Sequence, residues 1–268
     1  MTNQQDEKWD NRKAFPDVET WSVRYKEHSI RFSGSVNFEM DNRYGHQPRN
    51  RIDVLPGKPD FPTLIHIHGG YWQWNNKEDY LCVGEALHQA GLNCAFVEHT
   101  LAPDATMDEI VAEVQSGVSW FSSNRGDFGI ENPDIIVCGH SSGGHLAATC
   151  QGNPNVIGTL LISGLYDIRP ITQIYVNEVI GMDEEMASRN SPALSARDYG
   201  NFALIAYGDL ELETFREQSR GYHAAMLDKG NDVQLFPVKN RGHFDILDEL
   251  TEGSGVIFES LMDKLKLE

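Results

Sequence analysis

The chain of 268 residues has little sulfur chemistry to offer: Cys82, Cys94, Cys138 and Cys150 stand apart, with no C-x-x-C pair. That spacing argues against a disulfide scaffold or a zinc ribbon, and Cys94 and Cys138, inside apolar runs, read as buried free thiols. No apolar run approaches the ~18 residues a membrane span needs. The opening Met-Thr-Asn-Gln-Gln-Asp-Glu-Lys lacks the basic start and apolar core of a secretion signal. A reducing, cytoplasmic location is the expectation. Positive charge is scarce too, 22 basic residues against 40 acidic, for a formal charge of -18. Such a field repels nucleic-acid phosphates and anionic lipid. The expected partner is therefore a small-molecule substrate, with no nucleic acid and no membrane surface, and a homodimer is compatible with the sequence. An anionic substrate stays open, because salt screens a net field within about 8 Å and a local arginine overrides it. Internal repeats and low-complexity tracts are absent.

What is present is enough apolar content, 40%, to bury one large core, so a single domain over residues 1–268 is expected. Residues 1–24 are polar, with isolated Trp9, Phe15 and Trp21, and read as a helix laid across the domain that covers an opening. Residues 41–50 read as loop. Residues 51–55 alternate like a half-buried strand, and 63–68, 93–97, 135–139, 156–162, 202–207 and 233–238 are further strand-like runs. Helical spacing recurs over 79–90, 106–121, 213–229 and 245–267, with a small-residue helix starting after Ser141. Strands alternating with helices predict an α/β fold, a mostly parallel, doubly wound sheet with helices on both faces. Residues 169–200 interrupt the alternation without a clear strand and predict a small cap.

The run from Ile135 breaks at Gly139-His-Ser-Ser-Gly143, a G-x-S-x-G match. In that motif the glycines let a strand turn sharply into a helix and leave the serine hydroxyl exposed at the bend. Ser141 is the candidate nucleophile. A serine hydroxyl is weakly nucleophilic at neutral pH, so a base must take its proton and a third group must hold that base. In open parallel sheets such groups gather just past the carboxyl ends of strands. There the chain places Gly208-Asp-Leu-Glu211 and Arg241-Gly-His243, so His243 is the candidate base and Glu211 or Asp209 the acid. Glu211 is preferred, three positions past Gly208, and the order serine, acid, histidine is that of the α/β-hydrolase fold. Asp209 instead suits a helix cap. His68-Gly-Gly-Tyr-Trp72 follows an early strand, and its backbone suits an oxyanion hole built from the N–H groups of Gly70, Tyr71 and Ser142. His66 and His68 lack a third ligand and any H-E-x-x-H frame, so no metal and no cofactor are expected.

From Arg51 to the C-terminus the chain resembles the kynurenine formamidase (arylformamidase) group of α/β-hydrolases. The resemblance rests on His68-Gly-Gly-Tyr-Trp-Gln73 and on Gly139-His-Ser-Ser-Gly-Gly-His-Leu-Ala147. It extends to Leu101-Ala-Pro103, Ser163-Gly-Leu-Tyr-Asp-Ile-Arg-Pro170, Arg189-Asn-Ser-Pro192 and Phe215-Arg-Glu-Gln-Ser219. Where the group usually carries aspartate, this chain has Glu211. The resemblance implies hydrolysis of an N-formyl arylamine, with N-formyl-L-kynurenine as the reference case, through a formyl-serine intermediate. On the amine side Trp72, Trp74 and Tyr175, with Tyr71, are the aromatic candidates, and Arg169 or Arg189 is the candidate for an amino-acid carboxylate. The alternative is a carboxylesterase acting on short-chain or aryl esters. A non-catalytic binding protein of this fold would lack a triad residue, and none is missing.

Overall fold

β-Branched and aromatic residues fill short runs bounded by glycine, proline and polar turns, and these runs are the strands of the computed structural model, which describes residues 4–267. The strands are β1 (Glu39–Arg43), β2 (Arg51–Leu55), β3 (Thr63–Ile67), β4 (Asn93–Val97), β5 (Ile135–His140), β6 (Val156–Ile162), β7 (Phe202–Gly208) and β8 (Asp232–Val238). They form one eight-stranded sheet in the order β1-β2-β4-β3-β5-β6-β7-β8. β2 runs antiparallel to both β1 and β4, and the pairings from β4 through to β8 are parallel.

The helices begin with α1 (Gln4–Glu7), α2 (Asn11–Ala14) and α3 (Val18–Ser33) before the sheet. Between strands lie α4 (Glu85–Gln89), α5 (Met107–Asn124), α6 (Ser142–Thr149), α7 (Asn177–Ile180), α8 (Glu184–Arg189) and α9 (Glu213–Asp228), and the chain closes with α10 (Asp248–Thr251) and α11 (Val256–Leu265). Successive strand residues point to opposite faces, so each face needs its own cover. One face carries Ile65, Val97 and Val137 under α5, α6 and α9, through Val118, Leu146 and Tyr222. The other carries Leu64, Phe96 and Cys138 under α3, α4 and the closing helices, through Phe32, Leu87 and Leu261. All four cysteines are buried and unpaired.

Several expectations change. β2 is buried along most of its length rather than half-exposed: Ile52 and Val54 pack into the core on one face and Leu55 on the other, while β1, a polar strand unread in the sequence, hydrogen-bonds along its outer edge. Asp53, which gave β2 its alternating look, is buried at 2.8 Å from Lys77. The N-terminal stretch is three helical pieces rather than one, with residues 1–3 outside the described ones, and Trp9 packs into the core. The closing helix breaks between α10 and α11, where Gly253 and Gly255 take positive φ values of 62° and 91°. Over 79–90 a 3₁₀ turn (Lys77–Gly84) precedes the short α4. Residues 169–200 contain no strand; 3₁₀ turns and the short α7 and α8 fold over the α5–α6 side. Among the described residues no helix is long and apolar enough to cross a membrane.

Candidate active site

β5 ends at His140, and Ser141 follows with φ 58° and ψ −125° before α6 begins. The turn closes only because its glycines have no side chain. A Cβ on Gly139 would stand 2.1 Å from the Gly143 carbonyl oxygen, and one on Gly143 would stand 2.1 Å from that of Ile67. The bend therefore aims the Ser141 hydroxyl at the carboxyl edge of the sheet. There Ser141 Oγ lies 3.0 Å from His243 Nε2, and His243 Nδ1 lies 3.0 Å from Glu211 Oε2. A carboxylate only accepts hydrogen bonds, so Nδ1 carries the proton and Nε2 is left to accept that of the serine.

Each member is held from behind. Glu211 Oε1 accepts from Ser163 Oγ at 2.5 Å and from the Gly208 N–H at 2.7 Å. The His243 ring packs edge-on against Phe215 and Phe244, with centroids at 4.6 and 5.2 Å. The His243 carbonyl accepts from His140 Nε2 at 2.6 Å. Asp209 takes no part, since its Oδ1 accepts the Asn240 N–H at 2.8 Å and shapes the neighbouring turn.

The H-G-G turn runs beside the elbow, so close that a Cβ on Gly69 would stand 2.6 Å from the His140 carbonyl oxygen. Gly70, Tyr71 and Trp72 all have positive φ (121°, 47° and 59°), which for the two aromatic residues costs on the order of 1–3 kcal/mol each. The surroundings enforce that shape. Tyr71 donates its hydroxyl proton to the Trp9 carbonyl at 2.7 Å, and the Trp72 indole N–H donates to His145 Nδ1 at 3.2 Å. His145 donates from Nε2 to the Asn190 carbonyl, tying the turn to the excursion over 169–200. Burial pushes His145 down to about 4, which keeps its Nδ1 free to accept. Among the described residues no protein acceptor takes the N–H of Gly70, Tyr71 or Ser142; the last opens α6, where helical N–H groups lack internal partners. Gly70 and Tyr71, with Ser141, border the space in front of the nucleophile.

Beneath the turn, Glu98 is fully buried and gathers His68 Nε2 at 2.8 Å, Arg49 at 2.7 Å and the His99 N–H at 3.0 Å. Burial alone would raise its pKa, but His68 and Arg49 outweigh burial and hold it at about 2. Arg49 also donates to the Asn75 carbonyl, and Asn75 Nδ2 donates to that of Gly69, so the turn is braced at both ends. His66 packs between Tyr80 and Phe96, away from His68's partners. Among the described residues no group of three or more histidines, cysteines or carboxylates could hold a metal ion.

In front of Ser141 lies a cleft that opens partly to solvent. Trp74 and Tyr175 line it together with Tyr71, Tyr80, Trp21 and Phe244. Trp72 does not: it is 1% exposed and packs under α6, a correction to its expected substrate role that follows from the backbone reversal at positions 71–72. Arg169 and Arg189 are also elsewhere, paired with Asp167 and Asp108. The sequence reading missed Ser163, which the strand-end rule applied to β6 would have found. It also missed Asn11 and Arg12 on the cavity wall, for which no local signal existed.

Comparison with known proteins agrees with this architecture. Residues 55–159 match the BD-FAE family. A kynurenine formamidase of Danio rerio is 32% identical over 83% of this chain and 80% of its own length. One from Salmo salar is 32% identical over 91% and 88%. A solved esterase of Pyrobaculum calidifontis shares the fold at a TM-score of 0.76, with 17% identity and 93% of each chain covered. With identity of that order along most of both lengths, the chain belongs to the kynurenine formamidase family of α/β-hydrolases.

Proposed function

We propose that this protein is a serine hydrolase that cleaves the formamide of an N-formyl arylamine, with an N-formyl-L-kynurenine-like substrate giving the free amine and formate. The observation that carries the reading is the unbroken chain from Ser141 Oγ through His243 to Glu211, 3.0 Å at each link. Ser141 Oγ attacks the formyl carbon while His243 Nε2 takes its proton, and Glu211 stabilises the imidazolium that forms. The oxyanion accepts from the N–H groups of Gly70, Tyr71 and Ser142, each worth a few kcal/mol. His243 then gives the proton to the leaving nitrogen, the C–N bond breaks, and the arylamine departs. Water, deprotonated by His243, attacks the formyl ester, releasing formate and restoring the Ser141 hydroxyl. The formyl hydrogen needs almost no room, so binding comes from the amine side, and the aromatic lining suits an aryl ring there.

The test is a substrate panel run on wild-type protein and S141A. Wild type is expected to show a higher kcat/KM on N-formylkynurenine and formanilide than on short-chain nitrophenyl esters, and S141A to lose at least ~10³-fold on all of them. A much larger kcat/KM for the esters overturns the formamidase reading in favour of a carboxylesterase. Near-normal turnover by S141A overturns the nucleophile.

A further inference from the structure

We propose that Trp9 and Phe15, the aromatic residues of the polar segment before α3, are positioning residues that hold the oxyanion turn and the catalytic base in register, so that this segment sets kcat without touching substrate. Neither ring lines the cleft in front of Ser141. The inference rests on the Ser141 chemistry alone and holds equally for a formamide or an ester.

His243 is gripped edge-on by Phe215 and Phe244, and each of those rings is backed in turn by one ring of the N-terminal segment. Trp9 packs against Phe215 with centroids 5.8 Å apart and planes at 62°, and Phe15 against Phe244 at 6.1 Å and 87°. Edge-to-face pairs at such separations attract. Phe15 also reaches the residue before the base, since a Cβ on Gly242 would stand 2.7 Å from its ring. Trp9 is 6% exposed and Phe215 is fully buried. A close-packed interior transmits displacement, so a shift of either backing ring reaches the imidazole.

The same segment holds the other half of the site. The successive carbonyls of Lys8 and Trp9 accept from the Thr214 hydroxyl, one residue before Phe215, and from the Tyr71 hydroxyl at 2.7 Å. They tie the turn after β3 to the start of α9. Tyr71 sits at φ 47°, a conformation that a bulky residue rarely adopts unaided, and the bond to Trp9 is part of what keeps the turn in that shape. Trp9 therefore serves both halves: its ring backs the base and its carbonyl holds the turn. A misplacement of about 1 Å among reacting groups costs on the order of 10²-fold in rate, so a small loosening here is enough to register.

The test measures kcat and KM on formanilide and on a short-chain nitrophenyl ester, together with the Ki of phenylboronic acid, in wild type, W9A, F15A, Y71F and W9F. The boron of phenylboronic acid takes the Ser141 oxygen while the serine proton passes to His243, and the resulting tetrahedral anion mimics the transition state. Its Ki belongs to the assembled site and does not change with the fraction of protein folded, which a loss of stability alone would lower. W9A is expected to lose about 10- to 100-fold in kcat on both substrates with KM within about threefold, and to raise the boronate Ki by a similar factor. F15A and Y71F are expected to move both quantities the same way by about 3- to 10-fold. W9F, which keeps a ring against Phe215 and the same carbonyl, should stay within about threefold of wild type. Y71F deletes a single oxygen, so with F15A it decides the matter should W9A fail to fold. A boronate Ki within about twofold of wild type in Y71F, F15A and any folded W9A overturns the positioning role whatever happens to kcat, as does a loss confined to KM. A wild type that strongly prefers the ester overturns the formamidase reading while the variants are still read on the ester; a wild type inactive on both substrates overturns both.

Discussion

Glu211 and Asp209 sit two positions apart in one loop and do unrelated work. Glu211 is buried against Ser163, Gly208 and His243, whereas Asp209 points outward to the turn at Asn240. E211Q is therefore expected to lower kcat by about 10²- to 10⁴-fold, because the amide no longer fixes the His243 tautomer. D209N should change kcat less than about threefold and show its effect in the thermal midpoint instead. Steady-state kinetics of the two variants decide the matter, and the reverse order moves the acid to Asp209. The aromatic residues teach the same lesson about environment. Trp72 and Trp74 look interchangeable in sequence, yet one positive φ apart they separate into a buried anchor bonded to His145 and a cavity wall stacked under Arg12.

Among elements, the β5–α6 turn has the least freedom. The Cβ of an alanine at Gly143 meets the Ile67 and His68 carbonyl oxygens at 2.1 and 2.6 Å, both backbone atoms that cannot swing aside. G143A is expected to lose stability by about 2–3 kcal/mol, read from the urea midpoint, and to lose activity because the Ser141 hydroxyl moves off the His243 axis. Unchanged stability would mean the elbow relaxes far more than its packing suggests. The strands and the long amphipathic α5 were legible because their periodicity reflects one buried face. α3 was not, because polar residues interrupt its apolar stripe and most of its surface stays exposed. β1 was not either: Glu-Met-Asp-Asn-Arg has no apolar alternation and is a strand only through its pairing with β2.

Over the molecule as a whole, buried histidines set the acid limit. Burial holds His66 and His99 at about 3 and His145 at about 4, against an ordinary value of 6.5. As pH falls below 6.5 the unfolded chain takes up protons that the folded chain refuses, so stability drops, by up to about 1.4 kcal/mol per pH unit for each histidine. Glu98, held at about 2 by His68 and Arg49 against its burial, contributes stability that is full above the ordinary carboxylate range and lost only toward that value. Scanning calorimetry should find a level thermal midpoint from pH 8 to 7 and a steep decline from 6.5 to 4. A midpoint unchanged over the lower range would mean these rings are not neutral in the fold.

The sequence by itself determined what depends on local order along the chain: the strand–turn–helix at Ser141, the alternation that builds a parallel sheet, and the histidine and acid placed just beyond strand ends. Those are short-range facts, since periodicity and glycine position act within a few residues. Only the tertiary structure decided which side chains face the cavity. Trp72 left it, Arg169 and Arg189 found partners elsewhere, and Asn11 and Arg12 arrived from a segment more than 120 residues before the nucleophile. Whether a residue lines a pocket depends on how distant backbones pack, and the neighbours of Asn11 and Arg12 in the chain carry no trace of that.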